Sequence, residues 1–319
     1  MASRTKQSRP AKKGRAIEAP PRREPARSRP WLWAFAGAGA VAAVALIVGI
    51  AVTRSSGSGA AKSSNAAQPA AGLPDTPDYH SLMVSPTNPK ELLLGTHNGL
   101  FRSTDGGRRW AADALGGQDA MNLVRPGGQT LWVAGHAVLA KSLDGGKTWR
   151  DARPSGLPGL DVHGFAADPR NARTLYAAIA GTGLYRSTDG GNSFSVASTD
   201  VGPAVMALVV MPDGRILAGD MQKGLLVSRD GGKTWALNLP AALMGLAVNP
   251  ADPKRVLASG PGVLLSTSAG GTWKKVLDIP AGSGPVAWSK SNPKIAYVVG
   301  FDRTLYRSTD SGQKWSAVG

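Results

Sequence analysis

From residue 78 onward the hydrophobic positions fall in short runs, and each run is followed by Gly, Pro, Asn or Asp. Residues 163–168, 174–180, 183–188 and 193–198 are four consecutive runs of this kind. Runs that are partly β-branched or aromatic and bounded by turn-forming residues are typical of β-strands. This stretch is therefore predicted to form four short antiparallel strands.

A turn string recurs after the third strand of each such group. In residues 187–191 it reads Ser-Thr-Asp-Gly-Gly, and an aromatic residue follows it. The steps between successive copies are 39, 45, 41, 38 and 42 residues, and the copies begin at Ser103, Ser142, Ser187, Ser228, Ser266 and Ser308. Four strands in a repeat of about 40 residues are typical of a propeller blade. The sequence therefore predicts an all-β fold, a six-bladed β-propeller over residues 78–319.

The residues of the turn string are explained by a structural role. Ser and Asp side chains can accept hydrogen bonds from backbone N–H groups just ahead of them, and Gly adopts a left-handed conformation without steric cost. The aromatic residue that follows can bury its ring between neighbouring sheets. A catalytic role would need one special Asp, whereas this string supplies five equivalent ones: Asp105, Asp144, Asp189, Asp230 and Asp310. Ser268 stands in the fifth copy.

The consensus S-x-D-x-G-x-T-W resembles the Asp box of sialidase-type (BNR) repeats. Similar repeats occur in sialidases, xyloglucanases, sortilin ectodomains and photosystem II assembly-factor propellers, and in bacterial glycosyl-hydrolase-like proteins. The resemblance covers the chain from about residue 78 to its end and implies a β-propeller with Asp-box turns. It does not by itself imply a reaction.

The chain before the propeller has three parts of different composition. Residues 1–30 carry ten Lys or Arg and two Glu, which predicts a disordered basic tail. Residues 31–53 are 23 uncharged, mostly apolar residues, enough for a transmembrane helix. Residues 54–77 are rich in Ser, Ala, Gly and Pro, which predicts a flexible linker.

These parts predict a single-pass protein of the cell membrane. The basic flank keeps the N-terminus in the cytoplasm, so the propeller is expected to be extracytoplasmic. A cleaved signal peptide is the competing interpretation, although its apolar region is usually about 7–15 residues long. Half of the net charge of +16 lies in the tail, where orientation and anionic lipid explain it without nucleic acid. The chain has no cysteine, which excludes disulfides and thiolate chemistry.

The direction of the chain divides the propeller into two faces. Each inner strand begins on one face, called face one here, and the turn between the second and third strands returns to it. The Asp boxes lie on the opposite face, face two. A glycosidase needs two carboxylates at one sugar. Glu91, the one Glu after the apolar segment, is expected on face two, and weak catalytic candidates on face one are Asp119, Asp161, Asp220 and Asp302.

Histidine and methionine also collect on face one. Aligned starts of inner strands carry His80, Met121, His163, Met206 and Met244, and aligned ends of second strands carry His97, His136 and Met221. Imidazole and thioether groups without thiolate suit copper, particularly Cu(I). The competing interpretation is that Met fills gaps at the channel mouth and His caps strand ends.

The function predicted from these features is a membrane-tethered, extracytoplasmic, non-enzymatic binding or assembly module. Its partner is an extracytoplasmic protein or a glycan, no cofactor is required, and copper is the metal expected if the His and Met side chains converge. The alternative is a sialidase-like glycoside hydrolase acting on extracellular carbohydrate.

Overall fold

A computed structural model describes residues 70–319, and within them the regular structure consists of β-strands. The predicted tail (1–30), transmembrane helix (31–53) and first part of the linker (54–69) lie outside the described residues. Within residues 70–319, no helix has the length and apolar character needed to cross a bilayer. The strands form six antiparallel sheets, which confirms the prediction of a six-bladed β-propeller.

Three blades come from the first half of the described chain. Blade one contains β2 (Tyr79–Val84), β3 (Leu92–Thr96), β4 (Gly99–Ser103) and β5 (Arg109–Ala114), with β1 (Ala70–Ala71) at its outer edge. Blade two contains β6 (Asn122–Gly127), β7 (Thr130–Gly135), β8 (Val138–Ser142) and β9 (Arg150–Asp151). Blade three contains β10 (Val162–Asp168), β11 (Asn171–Ile179), β12 (Gly183–Ser187) and β13 (Ser195–Ser198).

The other three blades repeat this order from the inner strand to the outer one. Blade four contains β14 (Val205–Val210), β15 (Ile216–Asp220), β16 (Gly224–Ser228) and β17 (Ala236–Leu239). Blade five contains β18 (Gly245–Val248), β19 (Val256–Gly260), β20 (Gly262–Ser266) and β21 (Lys274–Leu277). Blade six contains β22 (Ser283–Trp288), β23 (Ala296–Gly300), β24 (Leu305–Ser308) and β25 (Ser316–Ala317).

The hydrophobic core lies between neighbouring blades. The second strands β3, β15, β19 and β23 are buried along their whole length, as expected for strands covered on both faces. Between blades three and four, Leu184 packs in one cluster with Ile216 and Leu226. Each blade therefore depends on its neighbours for the burial of its apolar faces.

The ring closes between blades six and one. The apolar cluster at this seam contains Tyr79 and Leu92 from blade one with Tyr297 and Leu305 from blade six. The Tyr297 hydroxyl donates to the carbonyl of Pro89 at 3.0 Å. All four strands of blade six come from the C-terminal part of the chain, so closure rests on packing between blades.

Residues 70–77, the end of the predicted linker, lie against blade one. Ala70 and Ala71 pair with Trp110 and Arg109 of β5. The Tyr79 hydroxyl donates to the Pro74 carbonyl at 2.8 Å. The expectation of a flexible linker up to residue 77 is wrong for these last residues, because backbone pairing and side-chain contacts hold them on the propeller.

Candidate functional site

The Asp boxes on face two form closed networks of local hydrogen bonds. In the third box, Asp189 Oδ1 accepts from the backbone N–H groups of Asn192 and Ser193 at 3.0 and 3.1 Å. Ser187 donates its hydroxyl to Asp189 and accepts from the N–H of Gly191. The same arrangement surrounds Asp105, Asp144, Asp230 and Asp310.

Two physical consequences follow from the geometry of the third box. The Ser193 hydroxyl, the backbone N–H groups and the Ser187 hydroxyl together hold the pKa of Asp189 well below its usual range. Gly191 has φ +87°, and a Cβ there would lie 2.7 Å from the Trp132 ring of blade two. The turn therefore tolerates only glycine at the point where it approaches the neighbouring blade.

The fifth box has a thinner network. Ser268 Oγ accepts from the N–H of Thr272 at 2.8 Å, and the N–H of Gly271 bonds instead to the Ser268 carbonyl. Ala269 stands where the first four boxes have glycine, with φ +55°, and Ser311 takes the same position in the sixth box with φ +64°. In this box the side chain of the third residue accepts one backbone N–H, where each aspartate accepts two, and the next residue is a strained non-glycine.

Glu91 lies on face two, as chain direction predicts. Its carboxylate accepts from Arg102 Nη1 at 2.6 Å, and Arg102 also binds Asp113. The pocket that Glu91 borders includes Asp144, the aspartate of the second Asp box. Glu91 is therefore remote from the starts of the inner strands.

The axial channel encloses a cavity of about 300 Å³, bordered by residues from all six inner strands. Among them are His80, Met121, Met206 and Met244, which the sequence placed at the starts of those strands. The lining is mostly aliphatic, so the three thioethers belong to an apolar wall that His80 interrupts.

All four histidines of the chain lie side by side on face one and form an arc across blades one to three. His80 Nε2 contacts His97 Nδ1, and the two rings are stacked. The His97 and His136 rings meet edge-on with centroids 6.1 Å apart. His136 Nε2 is 3.1 Å from His163 Nε2. The structure therefore brings the four histidines of face one next to one another.

Three aspartates alternate with the histidines of the arc. Asp78 Oδ1 is 3.0 Å from His80 Nε2 and 2.9 Å from His97 Nδ1. Asp119 Oδ2 is 2.5 Å from His136 Nδ1. Burial lowers the pKa of the His80 imidazole, and the negative charges of Asp78 and Asp119 oppose that effect.

The third aspartate, Asp161, stands between the last two histidines. Its Oδ1 is 3.3 Å from His136 Nε2 and 3.2 Å from His163 Nε2. The remaining ring nitrogen of His163, Nδ1, is 3.0 Å from the Pro203 carbonyl. We call His136, Asp161 and His163 the triad of blades two and three.

Sequence reasoning missed Asp78, although a signal was present. Asp78-Tyr-His80 and Asp161-Val-His163 share a D-x-H spacing at the start of an inner strand, and Asp119-Ala-Met121 is the corresponding segment of blade two. Residues two apart on a strand point to the same side, so an Asp at this position faces its His. The D-x-H spacing occurs in blades one and three, and an Asp at the aligned position occurs in blades one to three.

The other two catalytic candidates hold their own turns. Asp220 is buried, and its Oδ1 accepts from the N–H groups of Gln222 and Lys223 at 2.7 and 2.8 Å. Asp302 accepts from the N–H of Thr304 at 3.0 Å and from the Tyr306 hydroxyl at 2.6 Å. Asp119 and Asp161 are thus the two candidates that the structure brings together, with His136 between them.

Face one also carries exposed apolar side chains on its second-to-third strand turns. Met221 is 46% exposed and Phe301 is 37% exposed. Met221, which the sequence grouped with the metal ligands, lies in the turn after β15 and projects into solvent.

Comparison with known proteins gives several matches that extend over most of the propeller. A photosystem II assembly lipoprotein Ycf48 from Synechococcus sp. (strain CC9902) is 26% identical over 248 residues, covering 73% of this chain and 74% of that protein. A xyloglucanase from Hypocrea jecorina (strain QM6a) is 26% identical over 281 residues, but the chain spans only 33% of that enzyme.

Solved structures show the same fold at lower identity. A GH74 xyloglucanase from Xanthomonas campestris superimposes with a TM-score of 0.57 at 22% identity, covering 78% of this chain and 46% of that one. A structure of YCF48 bound to D1 peptide gives a TM-score of 0.51 at 19% identity, covering 77% and 83%. The family model for photosynthesis system II assembly factor YCF48 matches residues 79–318. The chain therefore belongs to the YCF48 assembly-factor family of propellers.

Proposed function

We propose that this protein is a non-enzymatic assembly module that binds a segment of another extracytoplasmic protein on face one while its N-terminal part anchors it in a membrane. One observation carries the proposal. The four face-one carboxylates that were catalytic candidates either accept hydrogen bonds within their own turns or lie against histidines, whereas Met221 and Phe301 on that face are exposed.

The carboxylates of face one are poorly suited to glycoside hydrolysis. Such a reaction needs one carboxylic acid and one carboxylate at the same sugar, about 5–10 Å apart with access to the substrate. Asp220 and Asp302 accept hydrogen bonds from their own turns, and Asp119 and Asp161 face imidazoles. Glu91 is paired with Arg102 on face two.

The exposed side chains of face one suit contact with a protein. Met and aromatic residues are enriched at protein interfaces, and Met adapts its shape to a partner. Met221 and Phe301 supply both kinds of side chain. The YCF48 structure with a D1 peptide adds a family member with a bound protein segment. A segment of a client protein is therefore the ligand we propose.

Photo-crosslinking from each face tests this proposal. A photoreactive amino acid replaces Met221 on face one or Leu143, which is 69% exposed in the second Asp-box turn. The expected result is a discrete crosslinked partner from position 221 that Phe301→Ser suppresses, with no crosslink from position 143. Equal crosslinking from both positions would contradict a binding role for face one.

Membrane tethering is the second part of the proposal and rests on residues 31–53. A reporter that is active only outside the cytoplasm, fused after Gly319, should be active in the full-length protein. A reporter active only in the cytoplasm should be silent at the same position, and activity of this second fusion would overturn the topology.

The proposal also includes a copper site at the channel mouth on face one. His80 borders the same cavity as Met121, Met206 and Met244, so one imidazole and three thioethers line one space. Cu(I) accepts both donor types. The double variant Met206→Leu, Met244→Leu should weaken Cu(I) binding in a competition titration, and unchanged affinity would remove the thioethers from the site.

A glycoside hydrolase is the alternative, favoured by the 26% identity to a xyloglucanase. Incubation of the full-length protein with xyloglucan decides between the two functions. No release of reducing sugar is expected. Hydrolysis that Asp119→Asn abolishes would replace the assembly function with the enzymatic one.

A further inference from the structure

The triad of blades two and three has a regular shape. Three atoms define it: His136 Nε2, His163 Nε2 and Asp161 Oδ1. The two nitrogens are 3.1 Å apart, and the oxygen lies 3.3 and 3.2 Å from them. The three edges are nearly equal, although the residues come from two different blades.

The hydrogen bonds behind the two imidazoles fix which nitrogen is free. His163 Nδ1 faces the Pro203 carbonyl at 3.0 Å, and a carbonyl can only accept, so this nitrogen carries the hydrogen. His136 Nδ1 faces Asp119 Oδ2 at 2.5 Å and donates to it in the same way. In neutral imidazoles both Nε2 atoms therefore present lone pairs, 3.1 Å from each other.

Two lone pairs and a carboxylate oxygen so close together repel one another unless a cation or a proton lies between them. A Zn²⁺ ion binds imidazole nitrogen and carboxylate oxygen at about 2.0–2.2 Å in tetrahedral geometry, which places its ligand atoms about 3.3 Å apart. From this match we propose that His136, His163 and Asp161 form a zinc site between blades two and three.

The surroundings of the triad match those of zinc sites in two further ways. A zinc-bound histidine usually donates its other N–H to a carboxylate or backbone carbonyl, and Asp119 and Pro203 supply one of each. His136 and Asp161 are half exposed, with side-chain accessibilities of 47% and 53%, so the ion can enter and its fourth position opens to solvent.

The neighbouring groups of the arc are less suitable. Asp78, His80 and His97 have two imidazole nitrogens in direct contact, which leaves no room for an ion between them. Asp119 with His97 and His136 has unequal distances of 3.4 and 2.5 Å, and its short contact is the one that orients His136. Imidazole with carboxylate also favours Zn²⁺ over Cu(I), which prefers soft sulfur ligands.

A competition titration of the full-length protein tests the site. The protein is stripped of metal and titrated with Zn²⁺ against a chromophoric chelator. One ion should bind per chain with a Kd well below about 10 µM. His163→Gln should weaken binding at least about 100-fold, and Asp119→Asn should weaken it by about 10–100-fold through the orientation of His136.

His97→Gln is the matched control, because it removes an imidazole of the same arc that lies outside the triad. Its zinc affinity should stay within about threefold of the parent protein, while melting curves without metal verify that all variants fold. Co²⁺ in place of Zn²⁺ should give the visible absorption of a tetrahedral site, and His163→Gln should abolish it. Two results would overturn the proposal: zinc binding weaker than about 10 µM, or zinc binding that is lost in His97→Gln and kept in His163→Gln. Weak binding would mean that the triad is a hydrogen-bonded imidazole network without a metal.

Discussion

The aspartates of the Asp boxes and those of the histidine arc have opposite roles. On face two, the carboxylate of Asp189 is satisfied by donors three and four residues ahead in the same turn. On face one, Asp119 and Asp161 both face His136, which follows the second strand of blade two. One residue type therefore closes a turn at one end of the molecule and joins blades at the other.

The difference teaches where function can reside in this fold. A carboxylate saturated by its own turn contributes to stability and has little capacity left for a ligand. A carboxylate that faces imidazoles can exchange those contacts for a cation. Changes on face two should therefore alter unfolding without altering binding, and changes in the triad should do the reverse.

Deletion of residues 312–319 should have the largest effect. It removes Trp315 and Val318 from the apolar packing of blade six and the seam, and the contact of Gly319 with Arg108. With the seam exposed, the domain should lose its cooperative melting transition, as measured by circular dichroism. Deletion of Gly319 alone is the control and should retain the transition. An unchanged melting curve for the long deletion would show that closure does not depend on this segment.

Ser187→Ala should destabilise the protein by about 1–3 kcal/mol, because the buried N–H of Gly191 loses its acceptor. Zinc affinity should be unchanged. Asp161→Asn is the mirror experiment: its zinc affinity should fall while its free energy of unfolding without metal stays close to that of the parent. Chemical denaturation and the zinc titration measure both quantities. If either variant lost both stability and zinc affinity, stability and binding would not be separated between the two faces.

The Asp boxes should also give the protein a stability that acid removes. The pKa values of Asp144, Asp189 and Asp230 are lower in the folded chain than the unfolded value of about 3.9. Their contribution is complete above the unfolded pKa and disappears as pH falls through the folded pKa. Asp189→Asn should therefore melt below the parent at pH 7, and the two melting temperatures should converge at low pH. A constant difference across the range would mean that the charge is not responsible.

The fifth box predicts the smallest effect. Ala269 has φ +55°, a conformation that favours glycine. Ala269→Gly should raise stability by about 0.5–1 kcal/mol, because relief of strain exceeds the added chain entropy. Differential scanning calorimetry measures the change, with Ala251→Gly, outside the Asp boxes, as the control. A lower melting temperature for Ala269→Gly would indicate that the box tolerates alanine without strain.

The fold could be predicted from sequence because its signals are local and repeated. The string around Asp189 and its five copies fixed the number of blades and the position of each third strand. The placement of His80, Met206 and Met244 on the channel followed from the same alignment, since equivalent positions of equivalent strands lie around one axis.

The details of the site could not be predicted in the same way. The separation in sequence between His136 and His163 is 27 residues, and their distance depends on how two blades pack. The role of Asp119 depends on which imidazole nitrogen faces it, which no spacing rule specifies. The D-x-H pattern at Asp78 and Asp161 is visible in the sequence. Aspartate is common at strand ends, however, so the pattern alone does not distinguish these two residues from other aspartates.

The segment before β2 gives the propeller a mechanical property. Ala70 and Ala71 pair with the outer strand of blade one, and Asp75 then binds Arg303 of blade six at 2.8 Å across the seam. A pull on the chain from its N-terminal side first loads the two-residue pairing of β1 and reaches the seam only after that pairing has peeled away. The short strand β1 should therefore detach before force reaches the seam between blades one and six. Single-molecule stretching from the N-terminus should show a small early rupture before the blades separate.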